Sequence, residues 1–427
     1  MLTINELPVE LLLSIFLDCL TKSVFIRVPL DLNQPPWTLS RVCSKWRSVI
    51  LSTPELWSYI QIQLVPTTSR SFQKHEEKVK NILARSGSAL LFLSLTSFYN
   101  VFNPDEIRAL VPHLSRLREL DIVGVPGDFF SYLPTSLPFL ERVSVSRIFG
   151  FGTSTFSLEE APKLRVATFT TCSLSSLPFM FPLSQIATMT FPNLSLHPVD
   201  VLRLLVQCKS LAECCLHINN PVRPSNPAIV EQNRLNLPHT HTLPFLTFFR
   251  LELEWNFDDE LDLTDFQILS LPRLSHFELD GTARSMDWFR AIASTVWRME
   301  TLKLSSFRGE AGDEIRLVLE SIPTLRTLRG VDHTTSHKVI RTRGLFDLLP
   351  NLEALHLPFP PNAGPLDLRM ANRTGDELEQ RRAESSLASP PRLVFHATDR
   401  LSVVPLPLLE RMRKAGWEID IVTQSSD

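Results

Sequence analysis

From residue 117 onward the chain repeats one arrangement of apolar and polar positions: an apolar residue, two variable ones, an apolar residue, one variable, then another apolar residue. It reads Leu117-Arg118-Glu119-Leu120-Asp121-Ile122, then Leu140-Glu141-Arg142-Val143-Ser144-Val145, Leu164-Arg165-Val166-Ala167-Thr168-Phe169 and Ile186-Ala187-Thr188-Met189-Thr190-Phe191. Further copies start at Leu211, Leu246, Leu274, Met299, Leu325 and Leu352. Each copy predicts a short strand whose alternate residues enter a shared core. Most neighbouring copies start about 22 to 28 residues apart, with one gap of about 35, a spacing at which small units stack because none can bury its own face. Residues 104–114, 198–208, 285–295 and 313–322 read as helical returns, each starting near a capping residue or a proline. Residues 89–95 predict a buried strand ahead of the array.

The first 57 residues follow a different period. Pro8 suits a helix start and Glu10 places a negative charge in the first turn. Leu11, Leu12, Ile15, Phe16 and Cys19 then recur along one helical face. Leu39, Val42, Cys43, Trp46, Val49 and Ile50 repeat the pattern, and Thr53-Pro54 opens a third turn carrying Leu56 and Trp57. A helical unit of about 50 residues with so many large apolar side chains buries them poorly alone, so part of the stripe faces the rest of the chain or another protein.

The order Leu7-Pro8, Glu10-Leu11, Ile15-Phe16, Val42-Cys43, Trp46-Arg47, Pro54-Glu55-Leu56-Trp57 resembles an F-box, the module that docks on the Skp-type adaptor subunit of a cullin ubiquitin ligase. The resemblance implies Leu7, Pro8, Leu11, Ile15, Phe16, Val42, Cys43, Trp46 and Trp57 as Skp-binding residues. It departs from the family at residues 21–38, where Pro29, Pro35 and Pro36 mark an inserted loop. The repeats resemble the irregular leucine-rich arrays that often follow an F-box, without the asparagine ladder of the strict repeat. The expected fold class is therefore an α/β solenoid: a short N-terminal three-helix F-box followed by an irregular leucine-rich-repeat horseshoe with parallel strands. An α/β sheet with crossover helices uses the same local phrases, but about ten strands at near-constant spacing favour the solenoid.

The expected organisation is an F-box-like helical domain at 1–64, a linker helix at 65–87, an array at 88–358 interrupted by a proline-bearing loop at 219–242, a flexible insertion at 359–391 and a C-terminal cap at 392–427. A chain of 427 residues, 44% hydrophobic and 21% charged, supports that much core. Its net charge of -3, with no long block of one sign, argues against nucleic acid as a partner. Six cysteines without paired zinc-type spacing suggest reduced thiols inside the cell, in cytoplasm or nucleus. Glu6 and Glu10 precede the apolar run 11–20 where a secretory signal needs positive charge, and no run of roughly 18 apolar residues predicts a membrane span.

Candidate chemistry is sparse. Cys208, Cys214, Cys215 and His217 cluster in sequence, but Cys214 takes an apolar repeat position, which favours packing over a metal site. His239 and His241 fall in the expected loop, and Asp258-Asp259-Glu260 reads as a solvated turn. Gly150-Phe151-Gly152 lacks the remainder of a phosphate loop, no nucleophile elbow occurs, and no enzyme activity, cofactor or metal is expected. The outward position of each copy is more informative: Asp121, Ser144, Thr168, Thr190, Cys215, Arg250, Glu278, Lys303, Arg329 and His356. The early ones are small; the later ones are charged. The expectation is an acidic patch of Glu252, Glu254, Glu278 and Asp280 beside a basic one of Lys303, Arg326, Arg329, Arg341 and Arg343. A protein substrate would dock there, with Arg250, Glu252, Glu254, Glu278, Asp280, Lys303 and Arg329 as contacts.

Overall fold

The computed structural model describes residues 7–20, 26–28, 33–64, 70–97, 107–108, 110–125, 127–147, 160–170, 181–194, 198–219, 234–254, 263–281, 287–296, 298–305, 312–330, 333–342, 344–359, 365–384, 390–397 and 406–423. They fall into two compact units, Met1–Leu194 and Ser195–Asp427. The division lies inside the expected array.

The first unit opens with α1 (Val9–Cys19), β1 (Ile26–Val28), α2 (Trp37–Ser40), α3 (Ser44–Ser52) and a 3-10 turn, Pro54–Trp57. Then come β2 (Tyr59–Leu64), α4 (Arg70–Arg85), β3 (Leu91–Ser97), β4 (Leu117–Val123), β5 (Arg142–Ser146), β6 (Val166–Thr170) and β7 (Thr188–Leu194). Every strand pairs in parallel with the next in sequence.

The segment read as one helix over 39–50 is two. Arg41, Val42 and Cys43 separate them; Cys43 is extended and its Sγ accepts the Trp46 backbone N–H at 3.4 Å, capping α3. Leu12, Phe16, Trp46, Ile50, Leu56 and Trp57 are buried together. The Phe16 and Trp46 rings meet edge-on at 4.8 Å, and Trp57 Nε1–H donates to the Ile50 carbonyl at 2.8 Å. The Arg85 guanidinium lies 4.6 Å from the Trp57 ring and ties α4 to the helices.

Two elements of this region differ from expectation. The insertion at 21–38 contributes β1, paired with β2. β2 itself, inside the segment expected to be helical, is a strand of the sheet, because Tyr59-Ile60-Gln61-Ile62-Gln63-Leu64 alternates with period two and buries Ile60, Ile62 and Leu64.

Arg116 closes the first unit around the end of α4. Its Nη1 donates to the carbonyls of Ser86 and Ala89 at 3.1 and 2.7 Å, and Nη2 donates to the Leu83 carbonyl and Ser86 Oγ at 3.2 and 2.7 Å. These are charge-assisted bonds to a helix C-terminus, where a cation is favoured. Arg116→Met is expected to cost about 2 to 3 kcal/mol, measured as a fall in the urea midpoint at unchanged m. After β4 the chain turns at Gly124, with φ +70, where an added Cβ would run into the Ser97 carbonyl oxygen. Gly124→Ala is expected to lower stability by at least about 2 kcal/mol, read in the same melts; a neutral result would mean that the turn relaxes freely.

The second unit contains α5 (Pro198–Leu205), β8 (Glu213–Asn219), β9 (His241–Thr242), β10 (Phe248–Glu254), β11 (Leu269–Ser270), β12 (His276–Asp280), α6 (Asp287–Ala293), β13 (Thr301–Ser305) and α7 (Gly312–Glu320). It continues with β14 (Thr327–Gly330), α8 (His333–Arg341), α9 (Leu345–Leu348), β15 (Ala354–Phe359), α10 (Pro365–Glu384), β16 (Arg392–Ala397), α11 (Leu406–Lys414) and β17 (Ile419–Thr423). Its main sheet runs β8, β10, β12 and onward to β17, all parallel, while β9 and β11 form a separate pair. A doubly wound sheet reverses its strand order at a switch point. Among the described strands of each unit the order follows the sequence, which is a solenoid-like α/β arrangement.

Buried residues alternate along the strands and meet the return helices. Phe277 on β12 packs on Phe289 at 5.1 Å and Trp288 at 6.4 Å, both on α6. The segment 359–391, expected to be flexible, holds the long helix α10. Leu378 is buried, and Arg411 of α11 binds Glu379 at 2.7 Å and Asp376 at 2.5 Å. The charged run could be read as solvated because these acids find their partners about 32 to 35 residues away, beyond any local signal. Within the long gap, Arg234 pairs with Asp265 at 2.8 Å and His241 lies in β9; residues 220–233 lie outside the described residues. Among the described residues no helix is long and apolar enough to cross a membrane.

Candidate interaction surfaces

In the first unit the apolar residues of α1 divide between two faces. Leu12, Phe16 and Leu20 point into the core, whereas Leu11 and Ile15, one turn apart, remain 52% and 40% exposed. Val42, in the turn before α3, is 57% exposed, and Val9 and Leu51 are exposed as well. Lys45 Nζ donates to the Leu7 carbonyl at 2.9 Å and brings the start of α3 beside the start of α1. Leu11 and Val42 therefore belong to the same end of the helical region. Isolated exposed apolar residues are common, but five on one small helical unit are more than its own core accounts for.

The residues expected to dock thus separate. Pro8, Leu11, Ile15 and Val42 are exposed, Leu7 and Cys43 half-buried. Phe16, Trp46 and Trp57 are buried at 0%, 8% and 0% exposure and hold the surface up from beneath, where a partner cannot touch them. The reason is size: in so small a helical unit the largest rings are needed for its own core. The exposed Val9 and Leu51 had no distinguishing sequence signal.

The outward residues of the repeats lie in register in both units. In the first, Asp121, Ser144, Thr168 and Thr190 are successive partners, and Ser94 Oγ–H donates to Asp121 at 2.9 Å. Phe92, Asp121, Arg142, Ser144 and Thr168 help line a depression of about 160 Å³ there.

In the second unit the row is Cys215, Arg250, Glu278, Lys303, Arg329 and His356. The register sets Glu252, Glu278 and Asp280 on the neighbouring strands β10 and β12, with Lys303 and Arg329 on β13 and β14 beyond them. Adjacent parallel strands stand about 4.8 Å apart, so opposite charges on neighbouring strands pair. Glu278 binds Lys303 at 2.9 Å and Arg250 at 3.4 Å; Arg250 also contacts Glu252, which lies 3.6 Å from His217. Asp280 sits in register beside Glu252. Arg326 pairs with Glu353 at 3.3 Å, and Arg341, on α8 and not on a strand, pairs with Glu377 at 3.4 Å. Arg343 and the side chain of Glu254 lie outside the described residues.

The row ends differently. His356 Nδ1 and His396 Nε2 are 2.7 Å apart with ring centroids at 5.0 Å, and Arg329 occupies the neighbouring register position. Burial, with the adjacent His396, Arg329 and Arg392, lowers the His356 pKa to about 4; burial and Arg329 also lower that of His396. The repeat phrase located His356; His396 was missed, although the alternation in Arg392–Ala397 places it on the same face.

Cys208 and Cys214 are buried, and burial pushes the Cys208 thiol up to about 12 and that of Cys214 well above its ordinary value. Both behave as packing residues. Among the described residues no group of three or more His, Cys, Asp or Glu side chains is placed to share a metal ion. Asp258-Asp259-Glu260 and Gly150-Phe151-Gly152 lie outside the described residues.

No family model matches the chain, and no curated protein matches it. Among solved structures it is similar to a Bacteroides fragilis protein determined as a structural-genomics target, 14% identical, over 63% of this chain and 68% of that one, with a TM-score of 0.30. A likeness of that degree carries no argument about function.

Proposed function

We propose that the chain is the substrate-recognition adaptor of a Skp/cullin/F-box ubiquitin ligase, its helical head an F-box and its strands an irregular leucine-rich-repeat horseshoe. The observation that carries this reading is that Leu11, Ile15 and Val42 stay exposed on a helical region whose core is Phe16, Trp46 and Trp57. A Skp-type subunit would cover these exposed residues, and the strand faces would hold a protein substrate. The protein then supplies proximity: it raises the effective concentration of substrate lysines near the ubiquitin thioester and performs no bond-making itself.

The test is co-expression with a Skp-type subunit followed by gel filtration, with a cullin added in a second run. A stable binary complex that accepts the cullin supports the ligase reading. A binary complex that excludes the cullin would leave a Skp-binding scaffold instead.

A further inference from the structure

We infer that Arg329, His356 and His396 form a subsite for an oxyanion, a phosphate ester or a carboxylate, presented by the protein ligand of the second unit. This deepens the adaptor reading by naming the chemistry of the ligand, and rests on it only for calling that ligand a substrate.

The geometry carries the inference. Along the row every cation before Arg329 has an acid: Arg250 has Glu252 and Glu278, and Lys303 has Glu278. Arg392, on the strand beyond His356, has Asp420 of β17 at 3.0 Å. Arg329 has no ion pair or hydrogen bond among the described residues, although it is half-buried on the same face. Beside it two imidazoles stand so close that their facing nitrogens can share only one proton between them, and His396 Nδ1 is buried without a hydrogen-bond partner. A fork of guanidinium donors next to an imidazole pair that can take up one further proton is a set suited to an oxyanion with several acceptor oxygens.

The groups facing the pair are Arg329 from β14, Arg392 from β16 and Asp420 from β17, the last already engaged by Arg392. Burial first, and then the adjacent cations, make these imidazoles hold protons weakly, and among the described residues Arg329 has no anion of its own. An oxyanion bound between them offsets the cations and raises the pKa of the pair. Binding then takes up protons, so affinity rises as pH falls from neutrality toward about 4, the value of the empty His356.

The experiment follows the histidine Cε1–H resonances of the full chain against pH in chloride, inorganic phosphate or acetate. His356→Gln and His396→Gln assign the two signals, and Arg329→Gln tests the site. The expected result is saturable upward movement of both titrations by roughly one unit or more, lost in Arg329→Gln at unchanged melting temperature. Movement in phosphate alone assigns a phosphate ester; movement in acetate as well admits carboxylates. Titrations that ignore both anions, or that move equally in Arg329→Gln, would overturn the subsite. No Skp subunit takes part, so this failure is separable from failure of the ligase reading.

Discussion

Leu11→Asp combined with Ile15→Asp should abolish capture of a Skp-type subunit while leaving the fold intact. Both side chains stand on the outer face of α1, exposed by 52% and 40%, whereas Leu12 and Phe16 fill the core. Surface changes of that kind alter stability by no more than about 0.5 kcal/mol. At a docking face the same changes forfeit two apolar contacts of about 1.5 to 3 kcal/mol each and leave carboxylates facing an apolar surface. Together they amount to a loss of at least about 4 kcal/mol, close to a thousandfold in affinity. The check is quantitative pull-down beside circular dichroism and melting of the variant. Retained capture by a folded variant would move the contact elsewhere on the chain.

Trp57→Ala should have the largest effect on stability. Trp57 is wholly buried, donates to the Ile50 carbonyl, meets Trp37 edge-on at 4.9 Å and lies under Arg85. Removing a core tryptophan costs about 3 to 5 kcal/mol, and the Ile50 carbonyl then loses a bond worth about 1 kcal/mol. Against a typical stability of about 5 to 15 kcal/mol, the helical region and its junction with β2 should melt early. Trp57→Phe, which keeps an aromatic ring and most of the packing but loses the donor, should cost less. Urea unfolding followed by tryptophan fluorescence and by far-ultraviolet dichroism separates the two variants. Equal losses would mean that the hydrogen bond, and not the packing, fixes this ring.

The contrast between these two substitutions also marks what the sequence could disclose. Period-two alternation behind a leucine anchor was enough to place Asp121, Arg250, Glu278, Lys303, Arg329 and His356 on one side of their strands, because in-register parallel pairing fixes side-chain direction. The helical period of α1 was equally visible, yet it could not separate Leu11 and Ile15 from Leu12 and Phe16. Those four cover adjoining arcs of one helix, and which arc turns inward depends on where α3 packs. Pairing was harder still. The Arg250–Glu278–Lys303 contacts depend on which strands are neighbours, and α10 is anchored by Arg411, far along the chain. β1 and β2 are not legible from the repeat, because neither follows its phrase.

The adaptor reading stands or falls on isothermal titration of the purified full-length chain with a purified Skp-type subunit. It predicts a one-to-one complex whose heat signal disappears in Leu11→Asp/Ile15→Asp and survives Arg329→Gln. A folded chain that gives no binding heat and no co-elution would contradict it, and the exposed apolar row on α1 would then need another partner.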